Sequence, residues 1–338
     1  MLNLQQNSEV MKFSTSIDIP VNGLKISHMN RILLFGSCFS ENIGKRLGKS
    51  KFQVDINPFG ILYNPLSVAC SIKRLLQNKP FNASELTFRD GLWHSFMHHG
   101  SFSSVDIDCC LEAINYRYAA AVEGLKQLDI LFVTFGTAFV YRQISDGEVV
   151  GNCHKFPDST FSRTRLSVQS IVDEWSAVIS ELLSQKKDLK IVFTVSPIRH
   201  LKDGAHQNQL SKSTLLLAVD ELENKFSDNV NYFPAFEIVM DELRDYRYYA
   251  ADMTHLSDVA VDYIWERFGE SFFDDDTSTI IRLWNEIDRS LNHRPLNSAT
   301  DQFKRFQLQI LNKLEHFKNL YPFVNCEIEY IDLQNSIK

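Results

Sequence analysis

The feature that most constrains the fold of this chain is an alternation of short apolar runs with longer segments of helical periodicity. The longer segments, for example residues 66–76 and 111–125, place apolar side chains three or four positions apart, as one face of an α-helix requires. This alternation predicts a mostly parallel sheet with helices on both faces, and almost wholly apolar strands fit a sheet that is covered twice. The five predicted strands are residues 31–35, 52–56, 130–135, 191–195 and 230–233.

Between the strands, helices are predicted from Ser40 to about Leu47 and from Thr214 to Phe226, among others. Residues 80–105 and 142–165 have no clean period, and we expect both to run irregularly over the surface. After Phe273 an acidic run ends the alternation, and the tail is largely of helical character. We therefore divide the chain into an α/β domain, residues 1–273, and a mainly helical C-terminal extension, residues 274–338.

The overall charge argues against two classes of partner. The formal net charge is −7, and no concentrated basic face of the kind that binds nucleic acid or anionic membranes is visible in the sequence. Residues 1–20 lack the pattern of a signal peptide, and the six cysteines form no CxxC pair. We expect a cytoplasmic protein with free thiols and no nucleic-acid or membrane partner.

The first candidate for chemistry follows the first strand, where Gly36-Ser37-Cys38 leads into a helix. In parallel α/β sheets ligands bind beyond the carboxyl ends of the strands. A cysteine at a helix N-terminus tends to have a lowered pKa, which favours the reactive thiolate. The alternative interpretation is that Cys38 is a small buried residue.

The second candidate is Asp252-Met253-Thr254-His255, in the loop between the fifth strand and the last core helix. An aspartate three residues before a histidine can orient the imidazole through one ring nitrogen and leave the other as a general base. An isolated DxxH is equally compatible with a structural histidine, but its position in this loop favours catalysis.

Other polar clusters permit weaker interpretations. His94 and His98 have metal-ligand spacing but lack a third ligand, and their segment does not look helical, so we expect no metal there. The sequence contains no Walker A or GxGxxG motif, and we expect no cofactor. Trp93 is a candidate lid or sugar-stacking wall, with surface packing as the alternative. Arg199 and His200, just after the fourth strand, can bind an anionic substrate group or instead cap nearby carbonyls.

Several segments carry a family resemblance. ILLFGSCFS and DMTH resemble the first and last blocks of the SGNH (GDSL-type) hydrolases. More closely, GSCFSENIG, NPFGILYNP, FGTAFVY, NCHK and SPIRHLKDG resemble the GSCFA family, and they extend over about residues 30–270. The resemblance implies a three-layer, doubly wound, flavodoxin-like sheet of about five parallel strands.

The resemblance also implies roles for residues. Cys38 falls where the SGNH nucleophilic serine stands, while a shift of one residue makes Ser37 the nucleophile, and both remain open. Asp252 and His255 match the last block without change. Gly60 falls at the second-block glycine, whose N–H helps to form the oxyanion hole.

The third block is the main departure from the SGNH pattern. Gly136-Thr137 matches it, but Ala138 replaces its asparagine. One oxyanion donor is worth roughly 100- to 1,000-fold in rate, so Asn152, Asn57 or Asn64 is expected to substitute, or the hole is built differently. The match to NCHK also gives Asn152 and His154 a place in the expected active site.

We therefore expect hydrolysis or transfer of a small acyl group, such as an O-acetyl ester on a carbohydrate-like acceptor. The expected partner is thus a small-molecule or glycan ester. Two alternatives remain: an enzyme that acts on thioesters, and a catalytically degenerate SGNH domain that binds a glycan or a protein. The sequence leaves the oligomeric state open.

Overall fold

The computed structural model of the chain describes residues 15–19, 23–293 and 300–337. Most of the N-terminal segment that was expected to lack a signal peptide lies outside the described residues. The strands are β1 Arg31–Gly36, β2 Gln53–Ile56, β3 Leu86–Arg89, β4 Leu92–Ser95, β5 Ile130–Phe135, β6 Phe139–Gln143, β7 Val149–Val150, β8 Phe161–Arg165, β9 Lys190–Val195 and β10 Val230–Tyr232. The helices are α1 Cys38–Lys49, α2 Pro65–Leu76, α3 Ile107–Lys126, α4 Val168–Gln185, α5 Gly204–Lys225, α6 Ala235–Glu237, α7 Asp258–Phe272, α8 Asp275–Leu291, α9 Asp301–Leu320 and α10 Glu327–Ile337.

The predicted five-stranded parallel sheet is confirmed. Its strand order is β10-β9-β5-β1-β2, and each neighbouring pair is parallel. The predicted helices on both faces are also confirmed. Alternate residues of each strand point to opposite faces of the sheet and pack into two different clusters of helices. Leu33 and Phe35 join α2, α3, α4 and α5 on one face, whereas Ile32 and Leu34 join α1 and α7 on the other.

The strand order reverses direction between β1 and β5, which creates a crevice at their carboxyl ends. Gly36, the last residue of β1, pairs in register with Thr134 of β5. Cys38 and Gly136 each lie two positions beyond this pair. The residues that follow β1 and β5, where the sequence predicts part of the active site, therefore lie at this crevice.

The two regions expected to be irregular contain antiparallel structure, so that expectation is wrong. Residues 80–105 include the hairpin β3–β4, and residues 139–165 form the three-stranded sheet β7-β6-β8. Their strands have two to five residues. In strands so short, pairing partners and tertiary packing decide the structure more than apolar alternation does.

Helix α5 also differs from its predicted extent, because it begins at Gly204 rather than Thr214. Its first half is mostly polar, with the sequence GAHQNQLSKS, and apolar periodicity therefore does not reveal it. This correction matters for the site, since it places Asn208, Ser211 and Lys212 on a helix whose side chains at these positions are buried.

The C-terminal helices α8, α9 and α10 confirm the helical character of the tail. They have their own apolar cluster around Trp284, Leu314 and Phe317. The Trp284 indole also donates a hydrogen bond of 2.8 Å to the Lys49 carbonyl oxygen at the end of α1. The division into two domains at residues 273 and 274 stays a prediction.

None of the helices within the described residues combines the length and the apolar content that a membrane crossing needs.

Candidate active site

The turn after β1 separates the two candidate nucleophiles by their environment. Gly36 has φ +139°, and a Cβ there would lie 2.3 Å from the Thr134 carbonyl oxygen, so the position requires glycine. Ser37 is the N-cap of α1: its Oγ accepts a hydrogen bond of 3.3 Å from the Phe39 N–H, and the residue is only 1% exposed. Cys38, the first helical residue, is half-buried. A ligand can therefore reach Cys38 more readily than Ser37.

The predicted lowering of the Cys38 pKa is wrong in direction. Burial raises the pKa of the Cys38 thiol above its ordinary value, and this cause exceeds the others. The N–H groups of Cys38 and Phe39 at the helix N-terminus act the other way, as does the charge of Lys212, whereas Glu41 raises the pKa further. The thiol therefore requires a base to become a nucleophile at neutral pH.

Asp252 and His255 form the pair that the DxxH spacing predicted. His255 Nδ1 donates a hydrogen bond of 2.5 Å to Asp252 Oδ2, and Asp252 Oδ1 accepts bonds of 2.9 and 3.0 Å from the N–H groups of His255 and Thr254. These hydrogen bonds, the backbone ones first, hold the pKa of Asp252 well below its usual range. Across the described chain, no hydrogen bond is made by His255 Nε2, which leaves that nitrogen in the position of a base.

His200 lies beside the end of β5, and the charge of His255 acts on it. Its Nε2 is 3.2 Å from the position that a Cβ on Gly136 would occupy, and its ring centroid is 5.2 Å from that of Tyr63. Burial lowers the pKa of His200 to about 4, and the charges of Lys212, His255 and Arg163 add to this effect. His200 is therefore neutral at pH 7, which suits hydrogen bonding better than pairing with an anion.

Lys212 is the residue at this edge that the sequence analysis missed. It is 0% exposed, and its Nζ donates hydrogen bonds of 2.6 Å to the carbonyl oxygens of both Gly136 and Ser196, at the ends of β5 and β9. Burial lowers the pKa of Lys212 to about 7, while the charge of Cys38 acts in the opposite direction. If the predicted helix had begun at Gly204, Lys212 would have fallen on the same buried face as Leu215 and Val219. This helical spacing is the signal in the sequence that could have revealed Lys212.

The family assignment follows from comparison with known proteins. The model of the GSCFA family matches residues 31–268, which is more than half of the chain. The chain belongs to the GSCFA family. A second model, described as the C-terminal domain of GSCFA domain proteins, matches residues 284–338 of this GSCFA chain.

Similarity beyond the family is slight. No curated protein matches the GSCFA chain. Among solved structures, it is similar to an acetyl xylan esterase from the rumen bacterium Butyrivibrio proteoclasticus, with 13% identity and a TM-score of 0.27. That match covers 71% of this chain and 64% of the esterase, so the chain spans less than two thirds of the esterase's length.

The backbone donors that the resemblance assigned to the oxyanion hole are occupied in this GSCFA protein. The Gly60 N–H donates to the Asn57 carbonyl oxygen at 2.7 Å, and the N–H groups of Gly136 and Thr137 both donate to the Tyr63 carbonyl oxygen, at 2.8 and 3.0 Å. A carbonyl that accepts an N–H in a tight turn removes that donor from a substrate. The structure therefore does not offer Gly60, Gly136 or Thr137 as backbone oxyanion donors.

Among the three candidate asparagines, only Asn57 has a free amide donor beside the Gly36 turn. Its Oδ1 accepts a hydrogen bond of 2.9 Å from the Gly36 N–H, and its buried Nδ2 has no hydrogen-bond partner in the described part of the chain. Asn64 caps α2 and donates from Nδ2 to Ser67 Oγ at 2.8 Å, and Asn152 Oδ1 accepts from the His154 N–H. The unused donor of Asn57 is unusual for a side chain that is 8% exposed.

Trp93, Asn152 and His154 lie elsewhere, in the packing around the β3–β4 hairpin. His154 Nε2 donates to the Ser95 carbonyl oxygen at 2.8 Å, and its ring stacks on that of His94 at 4.5 Å. The Trp93 ring centroid is 5.1 Å from that of Phe88, its neighbour across the hairpin. In the ranges that the structure covers, no hydrogen bond or ring contact joins these residues to Cys38 or His255, so the structure does not bring them into the site.

The remaining histidines of this hairpin region have structural partners. His94 hydrogen-bonds through both ring nitrogens, to Ser103 Oγ and to the Arg89 carbonyl oxygen, while His98 pairs with Ser95 Oγ and stacks on Phe59. Burial lowers the pKa of His98 to about 3. Within the described residues, no group of three or more His, Cys, Asp or Glu side chains has the arrangement of a metal site.

Arg199 lines a cleft of about 360 Å³ beside Asp252, together with Arg244, Tyr246 and Tyr249. The Arg199 guanidinium contacts Met240 Sδ at 3.6 Å, and no carboxylate of the described residues pairs with it. A guanidinium without an acidic partner, at the edge of a cleft, is suited to an anionic or strongly hydrogen-bonding ligand.

Proposed function

We propose that this chain is an acyl ester hydrolase or acyltransferase of the SGNH (GDSL-type) superfamily, with Cys38 as nucleophile. The observation that carries the proposal is the 2.5 Å hydrogen bond from His255 Nδ1 to Asp252 Oδ2 in the loop before α7. A carboxylate that accepts from Nδ1 fixes the tautomer in which Nε2 is the base. Such a pair is what a thiol with a raised pKa requires.

The proposed reaction begins when His255 Nε2 removes the Cys38 Sγ proton and the thiolate attacks the ester carbonyl carbon. Asn57 Nδ2 donates to the oxyanion that forms. The C–O bond to the alcohol then breaks, and the alcohol leaves with the proton held by His255. Water, or an acceptor hydroxyl activated by His255, cleaves the resulting thioester and restores the Cys38 thiol.

Ser37 is the weaker nucleophile in this proposal. Its Oγ already caps α1, and only 1% of the residue is exposed. Attack by Ser37 would require the cap to open, whereas Cys38 projects from the first helical position without that change. Burial in the apolar cluster around α1 explains why Cys38 depends on its neighbours for activation.

The proposed substrate is a small acyl ester, such as an O-acetyl group on a carbohydrate-like acceptor. Tyr246 and Tyr249 offer aromatic faces in the cleft beside Asp252, and Arg199 offers an unpaired guanidinium. These groups support a polar acceptor that binds next to the reacting carbonyl. We also propose a cytoplasmic location, which the six unpaired cysteines support.

The test is turnover of 4-nitrophenyl acetate and of O-acetylated sugars by the wild type, Cys38→Ala, Ser37→Ala and His255→Ala. We expect activity in the wild type and Ser37→Ala, and its loss in the other two. A parallel panel of acyl thioesters separates esterase from thioesterase activity. Full activity in Cys38→Ala would overturn the assignment of the nucleophile.

One observation favours a second candidate, a domain that binds an acylated glycan without turnover. In the parts of the chain that the structure describes, no hydrogen bond joins His255 to Cys38 or Ser37, and the His255 side chain is 55% exposed. In many enzymes the hydrogen bond between nucleophile and base forms when the substrate binds, so its absence is compatible with the hydrolase as well. Saturable binding of an acetylated glycan without hydrolysis over the whole panel would establish the binding function instead.

A further inference from the structure

Lys212 is an ionisable group that the proposed reaction does not use. It lies on α5, is 0% exposed, and reaches the carboxyl ends of β5 and β9 through two hydrogen bonds of 2.6 Å to carbonyl oxygens. A lysine is almost never fully buried without a charge partner. An uncharged side chain such as an amide could donate hydrogen bonds to the same two carbonyl oxygens. The presence of a lysine at this position therefore needs a further explanation.

The number of hydrogen bonds at Lys212 matches the neutral amine. A neutral amine has two N–H donors and one lone pair, and the carbonyl oxygens of Gly136 and Ser196 take both donors. The ammonium form has a third N–H, and no acceptor within the described residues takes it. The site therefore has a fixed place for one additional proton, which is favourable only when a negative charge stands nearby.

Cys38 is the group that supplies such a charge. Of the ionisable groups, Cys38 is the one whose charge raises the pKa of Lys212, and the charge of Lys212 in turn lowers the pKa of Cys38. The strand register explains this proximity, because Gly36 pairs with Thr134, two residues before the Gly136 carbonyl that holds Lys212.

Other ionisable groups also bear on this pair. Glu41 on α1 opposes the Cys38 thiolate, and Tyr63, in the loop before α2, responds to the charges of both Cys38 and Glu41. On the other side, the charges of Lys212, His255 and Arg163 all act on His200. Lys212 is a cation whose charge favours the Cys38 thiolate, in addition to the two N–H groups at the start of α1.

We propose that Lys212 is the buried counter-ion of the Cys38 thiolate, a positioning residue that sets the reactivity of this sulfur. In the resting site Cys38 carries its proton, and near neutral pH Lys212 is a neutral amine in part of the molecules, since burial lowers its pKa to about 7. When the S–H bond breaks, the electron pair stays on sulfur, His255 takes the departing proton, and the free lone pair of Lys212 Nζ binds one proton from bulk water. The thiolate and the ammonium then neutralise each other. The inference rests on the proposed role of Cys38 but not on any ester being hydrolysed.

The experiment measures the rate of Cys38 alkylation by iodoacetamide against pH, by mass spectrometry of the peptide that contains Cys38. Lys212→Met keeps the length of the side chain but removes its charge, and we expect alkylation at pH 7.5 to slow by about tenfold or more, as a shift of one pKa unit implies. Lys225→Met, on the exposed end of the same helix, is the matched control and should alkylate like the wild type. A folded Lys212→Met protein with an unchanged pH profile overturns the proposal and assigns Lys212 a structural role.

A second measurement keeps the proposal testable if Lys212→Met does not fold. In protein with 13C-labelled lysine, the Cε signal of Lys212 reports its titration in the wild type and in Cys38→Ala. In the wild type the titration of Lys212 should extend to higher pH than in Cys38→Ala, because the Cys38 thiolate that forms at alkaline pH favours a proton on Lys212. Identical titration curves in the two proteins would contradict the proposal. Neither the alkylation rate nor the Lys212 titration requires ester hydrolysis. The two measurements therefore test the role of Lys212 even if the protein does not hydrolyse esters.

Discussion

His255 Nδ1 and Asp252 Oδ2 are joined by a hydrogen bond of 2.5 Å, although about half of each side chain is exposed, 55% and 50% respectively. An exposed pair of this kind contributes little to stability. Two backbone N–H groups of the loop also donate hydrogen bonds to Asp252. These two bonds hold the carboxylate in place whether or not His255 is protonated. An arrangement that orients a histidine without stabilising the fold is expected of a catalytic pair.

The first prediction concerns this pair. His255→Ala and Asp252→Asn should each reduce kcat/KM for an aryl acetate by roughly 100-fold or more, because the base acts in both acylation and release. Thermal unfolding should change little, since both side chains are exposed. Asp258→Asn, in the first turn of α7, is the matched control and should retain activity. Unchanged turnover in His255→Ala would show that the pair is structural.

The second prediction separates Ser37 from Cys38. Ser37→Ala should lower the free energy of unfolding by about 1 kcal/mol, as expected when an N-cap is lost, while the variant still hydrolyses esters through Cys38. Cys38→Ala should fold normally and lose activity. Urea denaturation and initial rates on the same samples measure the two effects. Labelling of Ser37 by a fluorophosphonate in the wild type would reverse this assignment.

The third prediction tests Asn57 as the oxyanion donor. Asn57→Asp keeps an oxygen for the Gly36 N–H but replaces Nδ2, for which no described residue is a hydrogen-bond partner. We expect kcat to fall roughly 100-fold, with KM nearly unchanged, because the lost interaction forms only in the transition state. Asn64→Asp, which still caps α2, serves as the control. An equal loss of activity in both variants would point to folding rather than to the oxyanion.

The fourth prediction is that the protein loses stability on mild acidification. Burial lowers the pKa of His98 to about 3 and that of His200 to about 4, from about 6.5 in the unfolded chain. Between pH 6.5 and these values the unfolded state binds more protons, so the free energy of unfolding falls as the pH is lowered. Each histidine contributes a slope of roughly 1.4 kcal/mol per pH unit over its window.

Urea denaturation of the wild type and His98→Gln from pH 7 to pH 4 measures this slope. The variant should be less stable at pH 7 and lose less on acidification. The exposed His206 gives the control, since His206→Gln should keep the slope of the wild type. A slope in His98→Gln as steep as that of the wild type would contradict the assignment to His98.

The sequence predicted the five-stranded sheet and both site loops because these depend on local patterns. Apolar runs such as residues 130–135 are all buried in β5, and Asp252 and His255 interact across three positions of one loop. The same reasoning placed Cys38 at the start of α1. It gave the wrong direction for the pKa of Cys38, because a helix N-terminus is a local feature whereas burial depends on everything packed around the sulfur.

Short antiparallel strands were beyond prediction from periodicity. β6, β7 and β8 have five, two and five residues, and their register follows from pairing with one another. The occupied donors of Gly60, Gly136 and Thr137 were equally hidden, because each depends on a carbonyl that the folded chain brings to it. A motif match identifies a residue type at a position but not whether its N–H is free.

The amino-acid sequence was sufficient to predict the alternation of strands and helices, and with it the parallel sheet, and to locate one motif after β1 and the other before α7. The folded chain was needed to show which polar groups lie at the ends of β5 and β9. Lys212 lies 174 positions after Cys38 along the chain, and no spacing rule links the two. They influence each other because β1 and β5 are paired in register and α5 packs over the ends of β5 and β9, where the low dielectric of the interior makes each charge depend on the other.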